Sequence, residues 1–179
     1  PLTIVITDLQ LRINLALLPS SNMPPSSLAS GYYNMDFSLN TEQQMLQSTA
    51  RKFAVDILPS EARLIEDKDI PPSRELRKQF AEMGFLGINL PTRYGGVGLG
   101  HFESVLVLEE LAKISIAAAF PVFEASFGPS LAIAHFAPEE LRQRILPAVC
   151  SGDMVVAVSM SEPQAGPALT DLKSTARLT

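Results

Sequence analysis

The residues best placed for chemistry lie near the end of the 179-residue chain, from Asp153 onward. Val155-Val-Ala-Val-Ser-Met-Ser161 is an apolar run of β-branched and small residues, the pattern of a buried strand. It stops at Glu162-Pro163, because proline cannot donate to a sheet ladder. A hydroxyl, Ser161, stands at the expected strand end, and the small-residue loop Gln164-Ala165-Gly166 follows. Backbone N–H groups in such a loop can approach a ligand closely. A strand end of this kind could grip a planar polar heterocycle or a phosphate; a plain strand and turn without a ligand fits the same residues.

Other reactive residue types are less convergent. Glu109-Glu110 could suggest paired carboxylates for acid–base work. Neighbours on a helix point about 100° apart, so one exposed and one lightly paired carboxylate is the expectation. His135 falls near a helix end, where a cation meets the carbonyl dipole, and His101 sits beside a glycine-rich turn. Both read as structural. Tyr94-Gly-Gly-Val-Gly-Leu-Gly100 lacks the GxGxxG spacing of a dinucleotide fold and the lysine of a phosphate loop, so it reads as a tight turn between helices. The single cysteine, Cys150, permits no disulfide and no cysteine-based zinc site within the chain. It is compatible with a reducing compartment, and a cytoplasmic location is expected.

The elements that position these residues read as helical. Asn40 can cap a helix, with Gln43 answering it and Leu46, Thr49, Ala50, Phe53 and Ile57 inward; Pro59 should limit it. Glu61 to Lys68 fits a short surface helix or a loop. Pro71-Pro-Ser73 opens a second helix, with Leu76, Phe80 and Met83 inward and Gly84 as its stop. Phe102 to Ile114 makes a third, with Phe102, Val105, Leu106, Leu108 and Leu111 as its apolar face. Ser115 to His135 is nearly uncharged, which predicts a central helix kinked or entered at Pro121 and Pro129. Pro138 to Pro147 adds another. The expected fold is mainly α: a helical domain over residues 35–152, then the first strand or strands of an incomplete β-domain over 153–179. Residues 1–34 differ in character. An apolar run, Leu2 to Leu18, is followed by a Ser/Pro/Asn stretch, and Met35 reads as the natural start, with a non-native or disordered extension before it.

Bulk properties narrow the function. Hydrophobic residues are 46% and charged residues 18%, an ordinary globular composition. The net charge of −5 and the lack of a basic block argue against nucleic acid. No uncharged apolar stretch of about 18 residues is evident, so no membrane span is expected; the nearest candidate, Ile114 to Phe123, is short and holds Pro121.

Several segments together resemble the acyl-CoA dehydrogenase family. They are Met35-Asp-Phe-Ser-Leu-Asn-Thr-Glu-Gln43, Glu82-Met-Gly-Phe-Leu-Gly-Ile-Asn-Leu-Pro91 with Tyr94-Gly-Gly-Val-Gly-Leu99, and Leu106-Val-Leu-Glu-Glu-Leu-Ala112, followed by Leu146-Pro, Ser151-Gly-Asp153 and Ser161-Glu-Pro-Gln-Ala-Gly166. The resemblance covers Met35 to Thr179. It implies an N-terminal helical domain, a middle β-barrel and a C-terminal four-helix bundle. It also implies FAD and an acyl-CoA substrate desaturated at Cα–Cβ, with electrons passed to an electron-transfer flavoprotein, in a homo-oligomer (dimer or tetramer). A carboxylate base would take the α-proton; in the family it lies in the C-terminal bundle, so no catalytic residue is assigned here.

By the same resemblance, Val158, Met160, Ser161, Ala165, Gly166 and Pro167 would line the flavin. Met160 would pack on the ring, Ser161 would offer a hydroxyl where threonine is usual, and Ala165 and Gly166 would bring backbone close. Four departures stand out. Val158 replaces a common aromatic residue, Gln164 a frequent glycine, Pro167 a serine that serves the pyrophosphate, and Ala168 a frequent aspartate. Each lost charge-assisted bond would cost roughly 1.5–3 kcal/mol. Pro167 and Ala168 motivate a second reading, a structural subunit without flavin in a heteromeric complex; a helical interaction module and an acyl-CoA oxidase are further alternatives.

Overall fold

The computed structural model describes residues 37–175; the expected extension over residues 1–34 lies outside them. Residues 39–159 form one compact helical unit, and the chain from Met160 belongs to a second. The helical unit runs α1 (Thr41–Lys68), α2 (Arg74–Glu82), α3 (His101–Ala112), α4 (Ile116–Ser126), α5 (Pro129–Phe136) and α6 (Glu139–Cys150), with short 3₁₀ turns at Phe85–Gly87 and Thr92–Tyr94.

The expected caps form. Asn40 Oδ1 accepts from the Gln43 N–H at 2.8 Å, and Gln43 Oε1 accepts from the Asn40 N–H at 3.1 Å, a reciprocal pair that opens α1. Ser73 Oγ accepts from the Leu76 N–H at 3.0 Å to open α2, and Gly84 takes a positive φ of 73° beyond its end. Met83, expected inward, is 40% exposed, and Thr49 is exposed with its hydroxyl bonded to the Met45 carbonyl.

Pro59 does not end α1. The helix continues to Lys68 and closes on Asp69, held at φ 50°. Ala62 and Ile65, inside the stretch read as a short surface helix or loop, join the buried row of Ala50, Ala54 and Leu58. Pro121 and Pro147 also lie inside helices. An interior proline leaves the carbonyl four residues back unpaired. Here those residues are Val55, Ala117 and Gln143, all exposed, so water can serve the freed oxygens. Burial of the opposite face then outweighs the loss.

The main core joins α1, α2, α3, α4 and α6. Phe53, Phe80 and Phe85 form its aromatic centre, with Phe53–Phe80 centroids 5.3 Å apart and Phe53 edge-to-face with Phe85 at 5.7 Å. A smaller cluster of Leu90, Tyr94 and Leu146 sits under α5 and α6. The glycine-rich turn folds back on residues 87–90: the Val97 N–H donates to the Gly87 carbonyl at 2.8 Å and Leu99 to Ile88 at 2.8 Å. Gly96 is required there, because a Cβ would stand 2.1 Å from the Leu90 carbonyl oxygen.

Further expectations fail in this unit. The segment from Ser115 to His135 is not one central helix but two, broken at Phe127-Gly128. Ile116–Phe136 does reach the length and apolar composition of a membrane span, contrary to the reading of the sequence, but the break leaves α4 with 11 residues and α5 with 8, where about 20 are needed. The α3 face is also rotated from the expected one. Leu106, Val107 and Leu111 are buried, while Phe102 and Val105 are 52% and 48% exposed.

The predicted strand over 155–161 is absent. Among the described residues no strand forms; the one β-type pairing is the bridge between Glu162 and Ala165. A strand needs a neighbour to complete its ladder, and residues 155–161 have none among the described residues.

Candidate functional site

The residues expected to line a cofactor are exposed, Ala165 excepted. Val158, in the helical unit's last residues, is 51% exposed, and Met160 is 49% exposed. Both are large apolar side chains left open. Ser161, Gly166 and Pro167 are exposed. A Cβ built on Gly166 would meet nothing within 4 Å, so its backbone borders open space. Ala165 is instead buried, and both its backbone groups are engaged: it donates to the Glu162 carbonyl at 3.0 Å and accepts from the Glu162 N–H at 2.9 Å. Gln164 avoids the left-handed region, since Asp69 is the only described non-glycine residue with positive φ. Glutamine at 164 therefore carries no backbone strain.

Glu162 organises this segment. Its Oε2 accepts from the Lys173 N–H at 2.9 Å and from the Gln164 amide; its Oε1 accepts from the Ser174 N–H at 2.8 Å. Hydrogen bonding from Ser174 and Lys173 holds this carboxyl below the usual range.

Four carboxylates of the helical unit are likewise committed. Glu110, expected to be exposed or lightly paired, is 2% exposed and takes a two-point contact from Arg51, Nε and Nη2 each at 3.0 Å, plus Lys113 Nζ at 2.8 Å. The Arg51 hydrogen bonds, aided by Lys113 and opposed by burial, pull its pKa down to about 2. Glu103 accepts from Gln43 Nε2 at 2.8 Å and from the Gly100 N–H at 3.0 Å, so it too is lowered. Glu139 accepts from the Tyr94 hydroxyl at 2.8 Å and is lowered by it. Asp153 is clamped by Lys78 at 2.7 Å and Arg74 at 2.9 Å, with Ser151 Oγ also donating, and lies well below the usual carboxylate range. None of these acids is poised to take a proton at neutral pH.

His101 Nδ1 lies 3.1 Å from Asn89 Nδ2, and the ring meets Phe127 edge-to-face. Cys150 packs against Gly87, and burial raises its thiol to about 11, which leaves it inert at neutral pH.

Two cavities escaped the sequence reading. One is a wholly apolar groove of about 300 Å³ between α3 and α4, lined by Leu108, Ala112, Ile116, Ala119, Phe120 and Phe123. Its signal was present, because Ser115 to His135 is apolar on every side, which places large side chains outward as well as inward. The second, about 130 Å³, is lined by Pro71, Pro72, Arg77, Phe120, Pro121, Glu124 and Val155. Glu124 Oε2 and Arg77 Nε are buried beside it without a hydrogen-bond partner among the described residues. Glu124 is the only acid between Ser115 and Pro138, a hint that spacing alone did not explain.

Residues 40–153 match the family described as acyl-CoA dehydrogenase, N-terminal domain. Over 136 residues the chain is 36% identical to mitochondrial isovaleryl-CoA dehydrogenase of Bos taurus, covering 75% of this chain and 32% of that protein. The fold is similar to that of a glutaryl-CoA dehydrogenase in complex with glutaryl-CoA (TM-score 0.71, 28% identity, 77% of this chain and 35% of that one). It is also similar to the FAD complex of PigA (TM-score 0.69, 28% identity, 76% and 36%). The chain thus spans about a third of the length of the relatives it matches. With the helical order, the caps, the folded-back glycine turn and this match in hand, the chain belongs to the acyl-CoA dehydrogenase family and carries its N-terminal helical domain.

Proposed function

We propose that the full-length protein is an FAD-dependent acyl-CoA dehydrogenase that desaturates an acyl-CoA thioester at Cα–Cβ. The observation that carries this reading is the continuous family match over residues 40–153. FAD, when bound, supplies the acceptor for the hydride leaving the β-carbon. The segment Met160 to Pro167 suits such a cofactor. Met160 offers apolar surface to a ring, Ser161 offers a hydroxyl, and Gly166 leaves room for close approach. The apolar groove of Leu108, Ile116, Phe120 and Phe123 suits one wall of an acyl chain, because hydrocarbon binding needs dry, shaped surface. By the family resemblance the α-proton goes to a carboxylate base in a C-terminal bundle; Glu103, Glu110, Glu139 and Asp153, held below the usual carboxylate range by their partners, are weak bases. An electron-transfer flavoprotein as acceptor and assembly into a homo-oligomer belong to the same proposal.

The test is colour and turnover. Purified full-length protein is expected to show a flavin absorption spectrum and to reduce a dye acceptor with at least one acyl-CoA in a chain-length series. Colourless protein that stays empty after refolding with excess FAD would sink the reading.

One observation favours a second reading, a flavin-free structural subunit. Pro167 has neither an N–H nor a hydroxyl, so the donors that the family resemblance expects at a pyrophosphate are missing there. Co-purification of a colourless protein with a second, yellow dehydrogenase subunit would support it.

A further inference from the structure

The loop after Pro163 carries Gly166 and Pro167, yet the 3₁₀ turn at Leu169–Asp171 is its only regular structure. What holds it is a single residue, through its backbone at one end and its carboxylate at the other. The two-way pairing of Glu162 with Ala165 closes the near end of the loop, and the Glu162 carboxylate accepts both successive amides, Lys173 and Ser174, at the far end. One residue therefore ties both ends of the 163–172 loop. The acceptor geometry is specific. Each carboxylate oxygen faces a backbone N–H, and Oε2 also faces the Gln164 amide, so all the groups pointing at it are donors.

We propose that Glu162 is a positioning residue for the flavin: a clasp that sets the 163–172 loop so that Gly166 and Pro167 are presented in one conformation before the cofactor arrives. This rests on the flavoprotein reading above. Pre-setting a loop removes the ordering cost that binding would otherwise carry, so loss of the clasp appears as weaker cofactor affinity. Glutamine cannot replace the acid. Its NH₂ would point at one of the two backbone N–H groups, leaving donor against donor.

The experiment compares the full-length protein with its Glu162→Gln and Lys173→Pro variants. The first removes the acceptor; the second removes one donor and leaves Glu162 intact. Amide hydrogen exchange without added FAD is expected to speed up about tenfold or more at Ser174 in both variants, and at Lys173 in Glu162→Gln. FAD titrated by fluorescence quenching is expected to bind about tenfold more weakly to both. The thermal midpoint of the helices, followed by circular dichroism, is expected to stay in place. Exchange at Ser174 unchanged in both variants would overturn the clasp. Faster exchange with unchanged FAD affinity, in a wild type that binds FAD, would overturn the positioning role while the flavoprotein reading stands. A wild type that binds no FAD would overturn the flavoprotein reading and the positioning role together, and the clasp would then stand or fall on exchange alone.

Discussion

Residues 39–159 and residues 160–175 are kept in shape by different forces. In the first, order comes from area: Leu58, Leu76, Phe80 and Leu111 show no exposure, and helices from distant parts of the chain supply the surface that covers them. Each such side chain contributes about 1.5–3 kcal/mol on burial. In the second, Ala165 is the only described residue buried, and order comes from a few hydrogen bonds around Glu162. A segment of this kind can change its surface residues at little cost in stability, because few of them pack.

The contrast can be broken or sharpened by experiment. Phe80→Ala removes a fully buried ring from the Phe53–Phe85 cluster and is expected to cost about 3–5 kcal/mol in denaturant unfolding. A cost below 1 kcal/mol would mean that the helical core is not held by area.

Glu110→Gln should cost about 1–3 kcal/mol at neutral pH, because a buried acceptor of two charge-assisted partners loses its charge. Its pH dependence has a definite sign. The folded pKa is depressed to about 2 from 4.5, so the contribution is complete above pH 4.5 and is lost as pH falls toward 2. Stability measured across that window should fall less steeply in the glutamine variant than in the wild type.

Pro167→Ser, in the exposed segment, should leave helix melting unchanged and tighten FAD about tenfold, the value of one added hydrogen bond. A large change in melting with none in affinity would reverse the division drawn here. The smallest effect is expected at Val158→Ala. With half its surface already exposed, it should move stability by less than about 0.5 kcal/mol, and a shift above 1 kcal/mol would reveal packing not seen in the isolated chain.

Local signals proved reliable where one or two residues suffice to satisfy a backbone. The Asn40–Gln43 pair, Ser73 at the start of α2, Gly84 after its end and the Tyr94–Gly100 turn were all legible, because a cap or a tight turn is completed within a few residues. The family resemblance rests on the same short segments. Proline misled at Pro59, since its local penalty is known from sequence but the burial that offsets it is not. Residues 155–161 misled for the converse reason: a strand's pattern is local, and its ladder is not.

What this sequence determined by itself was the helical class, the main caps, the glycine turn and the family, because each depends on residues close together in the chain. Only the tertiary structure decided which face of α3 turns inward, that Arg51 reaches Glu110 across 59 residues, and that α3 and α4 leave an apolar groove between them. The physical reason is that burial belongs to pairs of elements. A helix carries its pattern alone, but what that pattern meets is settled by neighbours the local sequence does not name.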